Sequence, residues 1–198
     1  MRSLFTIWFC LFFFSGCSKA PTRVVPEAPA SNSAEAAVEL CDADKDGLLS
    51  EMELLKAPGL KSGLKQADAD LDGKLSASEI NGRIAAWTKT KVARMPLVVI
   101  VTRRGMPLVD AEVRVIPESF QGTALPIGAA KTNGQGLATP TAPVSEEKPS
   151  GLPPGYYRIE IQSASGDLPA SYNSATTLGV EMATDSTIMA GPVRIEIP

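Results

Sequence analysis

The sequence predicts an α+β chain in two parts, a short helical module followed by an antiparallel β-sandwich. Three observations carry this. Between residues 42 and 79 one twelve-residue acidic pattern occurs twice, with helix-compatible stretches around each copy. At Met95-Pro96 the apolar spacing changes from helical to β-branched runs and period-two alternation. From there a series of short strand candidates, separated by Gly, Pro and Asn turns, runs to the C-terminus, which is the pattern of a sandwich. A chain of 198 residues has room for two small domains. The expected boundaries are 1–16 for a signal peptide, 17–33 for a tether, 34–92 for the helical module and 93–198 for the sandwich.

The N-terminus reads as an address. Arg2 precedes an almost unbroken apolar run over residues 4–14, and Ser15-Gly16 supply a small-residue exit. The run is too short for a comfortable membrane span, which takes about 20 apolar residues. Cys17 follows Ser15-Gly16 directly, and this resembles the bacterial lipobox, with Phe14 where Leu is usual. The resemblance implies that Cys17 is lipidated and becomes the first mature residue. Ser18, in place of an aspartate, implies sorting to the outer membrane, facing the periplasm or the exterior. Residues 18–33 are rich in Pro, Ala, Ser and Asn, and Pro21, Pro26 and Pro29 disfavour helix and strand interiors, so an extended, disordered tether is expected.

Residues 34–41 form a helix candidate, with Asn32 or Ser33 as N-cap, Glu35 in capping-box spacing from Asn32, and Val38, Leu40 and Cys41 inward. The first acidic copy follows. Residues 50–57 read as the start of an exiting helix that Pro58-Gly59 ends. Residues 60–67, with Leu60 and Leu64 one turn apart, lead into the second copy. Residues 76–91 form the longest helix, on which Ile80, Ile84 and Trp87 make an apolar stripe.

Each acidic copy carries carboxylates at positions 1, 3, 5 and 12, glycine at 6, an apolar residue at 8 and serine at 9. This is the EF-hand calcium loop. A hard cation with a flexible shell of oxygens needs alternating carboxylates that converge in one tight turn. The first ligand set is Asp42, Asp44, Asp46, the carbonyl of Leu48, Ser50 through a water, and Glu53. The second is Asp68, Asp70, Asp72, the carbonyl of Lys74, Ser76 and Glu79. Gly47 and Gly73 supply the sharp turn, and Leu49 and Leu75 should face each other across a short strand pair. A solvated acidic face would not repeat so many specified positions at a fixed offset. Two Ca²⁺ ions are the expected cofactors, and Mg²⁺, with its tight octahedral shell, fits less well. Only residues 54–67 separate the loops. Sensors of the calmodulin kind have longer helices there. The compactness resembles that of dockerin modules, although dockerins usually end each loop with Asp.

In the second half, strands are expected at 97–102, 109–117, 137–139, 156–161, 176–182 and 193–197, with a turn at 103–105, a hairpin or loop turn at 132–136 and a Pro-rich loop at 144–155. Gly105-Met106-Pro107-Leu108-Val109-Asp110-Ala111-Glu112-Val113, Thr132-Asn133-Gly134-Gln135-Gly136 and Leu152-Pro153-Pro154-Gly155-Tyr156-Tyr157-Arg158-Ile159 resemble the corresponding segments of carboxypeptidase regulatory-like and transthyretin-like domains. The stretch 168–181 resembles one found in bacterial lipoproteins that join an EF-hand pair to such a sandwich. The resemblance implies a non-catalytic Ig-like scaffold, often adhesive or spacing.

Composition removes several classes. With no histidine, a Ser-His or Cys-His dyad and an imidazole zinc site are impossible, and the transthyretin-like hydrolases depend on histidines that this chain lacks. Asp110, Glu112, Glu118 and Asp167 form no paired motif. Of Cys10, Cys17 and Cys41, only Cys41 lies in the folded part; it reads as a small apolar residue, with a redox role as the sharper alternative. Tyr172-Asn173 reads as a loop anchor, and Arg103-Arg104 as a solvated hairpin tip. A net charge of −3 gives no argument for nucleic acid. The expectation is a non-enzymatic, calcium-binding envelope lipoprotein with a structural or binding role, tied to a membrane by its anchor and meeting a protein or envelope partner. The alternative is a calcium-responsive regulator or adhesion module.

Overall fold

The computed structural model of the protein describes residues 27–145 and 149–198. The signal peptide, Cys10, Cys17 and the tether up to residue 26 lie outside the described residues. The helical part comprises α1 (Ser33–Cys41), β1 (Leu48–Leu49), a 3₁₀ turn (Glu53–Lys56), α2 (Pro58–Ser62), α3 (Leu64–Ala67), β2 (Leu75–Ser76) and α4 (Ala77–Thr90). The β part comprises β3 (Val99–Arg103), β4 (Met106–Pro107), β5 (Glu112–Pro117), β6 (Gly128–Lys131), β7 (Leu137–Ala138), β8 (Gly155–Gln162), β9 (Gly179–Met182) and β10 (Val193–Ile197).

The chain is a mixed α/β fold in which two sheets face each other in sandwich fashion. One sheet runs β6-β5-β8-β9; the other centres on β3, with β10 on one side and β4 and β7 paired with it as well. Alternation decides what points inward. Val99 and Val101, Val113 and Val115, Ile159 and Ile161, Val180 and Met182, and Ile195 and Ile197 all lie in one buried cluster. The expected all-antiparallel pairing is corrected at one place: β10 runs parallel to β3, from Val193 opposite Val99 to Ile197 opposite Arg103. A parallel pair needs a long crossover, and here nearly the whole β part connects the two strands. The strands β4 and β6 lack β-branched residues and escaped a propensity reading.

The Asn-Gly turn at 132–136 closes a short hairpin, in which Asn133 N donates to Leu137 O at 2.9 Å and Ala129 bridges Thr141 antiparallel. Strand β6 pairs with β5 whereas β7 pairs with β3, so the turn carries the chain from one sheet to the other. Asn133 Oδ1 accepts from the backbone N–H of Gln135 and Leu137 at 2.9 and 3.1 Å. Gly136 has φ 71°, and a Cβ there would meet the Val101 carbonyl oxygen at 2.3 Å.

The helical part departs from expectation in three places. In α1 the buried residues are Ser33, Ala34, Ala37 and Cys41, while Val38 is half-buried and Leu40 is 49% exposed. Ala34, Ala37 and Cys41 share one face at helical spacing, and Leu40 lies off it. Second, the exit from the first loop is a single 3₁₀ turn, and Pro58 opens α2 as its first helical residue where a helix end was expected. Third, the helix expected over 60–67 breaks at Gly63 into α2 and α3. The packing at this break admits only glycine. Any Cβ on Gly63 would sit 2.7 Å from Tyr156 Cε1 and 3.1 Å from Glu181 Cδ. One on Gly59 would meet the Tyr157 backbone N at 2.6 Å, and one on Gly179 the Pro58 carbonyl oxygen at 1.9 Å. The α2 backbone therefore lies almost on the backbones of β8 and β9.

The two parts share a core. The second buried cluster joins Leu49, Leu54, Leu60, Leu75, Ile80 and Trp87 to Phe120, Tyr156 and Ala183 of the β part. Trp87 meets the Tyr156 ring edge-on, with centroids 4.7 Å apart. The last residues of the expected tether also lie on the body: Ala30 N donates to Gln121 O at 3.0 Å, and Glu27 pairs with the buried Arg94 at 3.0 Å. Arg94 donates further to the carbonyls of Pro143 and Pro149.

Two predictions follow from the seam. Glu118 is buried there and accepts from Gly59 N at 2.7 Å. Burial pushes its carboxyl up to about 7, against the Gly59 hydrogen bond and the Arg158 charge. The folded chain thus keeps this proton above the ordinary value of 4.5, and the stability it contributes is lost as pH rises through about 7. Replacing Glu118 by Gln, which still accepts from Gly59, should raise the melting temperature at pH 8 and leave it near wild type at pH 4; a variant curve parallel to wild type would refute this. Tyr156, fully buried, has a hydroxyl with no hydrogen-bond partner among the described residues. Tyr156→Phe should therefore keep or raise stability, by up to about 1 kcal/mol, in urea unfolding.

Candidate metal centre

The two acidic loops fold alike. Each leaves a helix at its first aspartate, Asp42 after α1 and Asp68 after α3. Each passes through a left-handed residue at position 4, Lys45 with φ 62° and Leu71 with φ 63°, and again at position 6, Gly47 with φ 83° and Gly73 with φ 81°. Each then enters a two-residue strand. Strands β1 and β2 pair antiparallel with Leu49 opposite Leu75, as expected, and both leucines are fully buried. The loops are thus held back to back by one apolar contact, with their acidic faces outward.

Backbone N–H groups orient the carboxylates. Asp42 accepts from Lys45 N at 2.7 Å and from Gly47 N at 3.0 Å. Asp68 accepts from Asp72 N at 3.2 Å and from Gly73 N at 3.0 Å. Asp46 and Asp72 each accept from the N–H two residues on, at 2.8 and 2.7 Å. The closing glutamates match closely. Glu53 accepts from Ala43 N at 2.7 Å, Ser50 N at 2.8 Å and Ser50 Oγ at 2.7 Å. Glu79 accepts from Ala69 N at 2.9 Å and from Ser76 N and Oγ, both at 2.8 Å. Glu79 N in turn donates to Ser76 Oγ, so the second glutamate is also half of a capping box that starts α4.

Both closing glutamates and Asp46 are held below the ordinary carboxylate range. The Ser50 hydroxyl, then the Ala43 and Ser50 N–H groups, hold Glu53 down at about 2. For Glu79 burial works upward, but the Ser76 and Ala69 hydrogen bonds outweigh it and the value is lowered. The Lys74 ammonium lowers Asp46.

Oxygens of Asp42, Asp44 and Asp46 lie within 4.8 Å of one another, as do those of Asp68, Asp70 and Glu79. Either group could hold a metal ion. The donors are all carboxylate oxygens, which suit a hard cation and not a thiophilic one. Glu53 falls outside the first group and Asp72 outside the second, so each loop gathers three of its four expected carboxylates. The hydroxyls of Ser50 and Ser76 point at Glu53 and Glu79. Leu48 and Ser76 face each other in the β1–β2 pair, with Lys74 just before it.

Other residues singled out in the sequence have structural roles. Cys41 is fully buried, and burial pushes its thiol up to about 11 against the nearby Lys56, so the thiolate is disfavoured. The Tyr172 hydroxyl reaches the Glu196 carbonyl at 3.4 Å, and Asn173 Nδ2 donates to Leu168 O at 3.2 Å, which ties the loop down. Arg103 pairs with Asp167 at 2.6 Å. Sequence reasoning did not single out Arg83, which is buried against Glu181, and used only the carbonyl of Lys74, whose ammonium lies 2.8 Å from Asp46 of the other loop. The faint signal for Lys74 was a charged residue at a loop position where Leu48 stands in the first copy.

No family model, curated protein or solved structure matches this chain.

The capping box makes a local prediction. Ser76→Ala removes the acceptor for Glu79 N and one donor to its carboxylate, and should cost about 1 kcal/mol in denaturant unfolding.

Proposed function

We propose that this is a calcium-binding protein of the bacterial cell envelope, lipid-anchored through Cys17, with two EF-hand loops and a structural or binding role that is not catalytic. One observation carries the calcium reading: two separate segments adopt the same turn, with left-handed residues at positions 4 and 6, the same bond from the position-6 N–H to the position-1 carboxylate and the same serine–glutamate closure. Asp42, Asp44, Asp46 and Glu53 would hold one ion with the Leu48 carbonyl and Ser50; Asp68, Asp70, Asp72 and Glu79 would hold the other with the Lys74 carbonyl and Ser76. A bound Ca²⁺ supplies charge neutralisation, drawing together carboxylates that otherwise repel.

The position of the loops supports a structural role. Glu53 begins the 3₁₀ turn that runs into Pro58 and Gly59, where α2 lies on β8 and β9. Closing the first loop on an ion would stiffen the joint between the helical part and the sheets. The regulatory reading draws on the exposed Leu40, Met52, Leu55 and Leu71 on or beside the loops. The carboxypeptidase regulatory-like resemblance supports a scaffold role for the β part, with an envelope or extracellular partner.

Calorimetry with Ca²⁺ should resolve two sites, with Glu53→Gln and Glu79→Gln each removing one; no heat of binding would refute the reading. Saturating Ca²⁺ should stabilise the fold by about 2.7 kcal/mol per site at a hundredfold excess over Kd. A rise in melting temperature without new binding of a hydrophobic dye marks the structural role, and dye binding on calcium addition marks the regulatory one. Palmitate labelling lost in Cys17→Ser checks the anchor.

A further inference from the structure

We infer that Lys74 is a built-in counter-cation of the first acidic loop, which makes the two loops unequal and sets their order of filling. The inference rests on the calcium reading above. Lys74 belongs to the second loop, at position 7, yet its Nζ lies 2.8 Å from Oδ2 of Asp46 in the first. The β1–β2 register makes this reach possible. Leu49 lies opposite Leu75, so Lys74 emerges level with the end of the first loop. Asp46 is one of the three carboxylates that converge there. The arrangement has no counterpart in the second loop. The equivalent residue of the first loop is Leu48, which carries no charge to place on Asp72.

Both Lys74 and Asp46 are partly exposed, at 39% and 38%, so the pair contributes little to folding. Its effect on an arriving divalent ion is larger. The ammonium competes for an oxygen of Asp46 and repels the ion directly; a unit charge held about 6 Å from a divalent ion in water weakens its binding about tenfold. A cation entering the first loop must therefore displace Lys74, while the second loop closes without such a competitor. The second loop fills first. The first responds at higher cation concentration, and its occupancy depends on where one side chain of its neighbour lies.

The experiment is calcium titration by calorimetry on the Lys74→Met variant. In a Glu79→Gln background, where the first loop alone binds, the substitution should tighten binding by about tenfold; in a Glu53→Gln background, the second loop should change less. Lys74→Arg, which keeps the charge, should leave the first loop near wild type. In the otherwise unaltered chain Lys74→Met should narrow the gap between the two binding constants, a readout that does not require the Gln variants to fold. An equal gain at both loops, or no gain at the first, overturns the role of Lys74 while leaving calcium binding intact. No heat of binding in any variant or in the wild type overturns the calcium reading and this inference with it.

Discussion

Arg83 and Glu181 form the contact on which the association of the helical and β parts depends. Both are buried, with Nε to Oε1 at 2.5 Å, and the same Glu181 oxygen accepts from Trp87 Nε1 at 3.2 Å. The outer nitrogens of Arg83 hold Asp185 in a fork, at 2.7 and 2.8 Å. Burial opposes the charge on Arg83, but the Asp185 and Glu181 hydrogen bonds reverse the balance and its value is raised. Burial pushes Glu181 up, countered by Arg83. Neither charge is tolerable alone, since removing one partner of a buried pair costs about 3–5 kcal/mol. Such a pair adds little net stability over an apolar match. The contact sets α4 against β9 in this register, with Glu181 Oε1 shared by Arg83 and Trp87 while Glu181 Oε2 has no hydrogen-bond partner among the described residues.

That register has consequences for the whole seam. With α4 pinned at Arg83, Trp87 falls edge-on against Tyr156, and α2 is pressed onto the backbones of β8 and β9 at positions where only glycine fits. The segment after β5 closes the other side. Glu118 accepts from Gly59, Gln121 exchanges two hydrogen bonds with the Tyr156 backbone, and Phe120 enters the shared core. The helical part is therefore not a bead on a string. Its acidic loops are seated on the core that the two parts share, with Leu49 and Leu75 back to back beneath them.

Much of the candidate site was legible because its determinants are local. Alternating aspartates, a glycine at position 6 and a closing glutamate specify a tight turn through bonds that reach at most eleven residues along the chain. The β1–β2 pairing was legible for the same reason, since position 8 is apolar in both copies. The strands of the β part were legible from alternation where it was strong, as in β5 and β8. The parallel pairing of β10 was not, because the same alternation serves either direction. The pairing of β7 with β3 was equally hidden: the Asn-Gly turn records the fold-back of its own flanks and not the strand that lies on their other side.

By itself the sequence determined the two repeated acidic turns with their alternating carboxylates, the apolar pair between them and the change to β structure near Met95, since each depends on neighbours along the chain or on simple periodicity. The tertiary structure alone decided that Arg83 is buried, that Gly63 splits a helix, that Pro58 begins one where it looked like an end, that Glu118 is held in a protonatable seam and that Lys74 leans across to Asp46. Each is a contact between residues far apart in sequence or on opposite loops. Its energy depends on which surface lies opposite, and no local pattern records that.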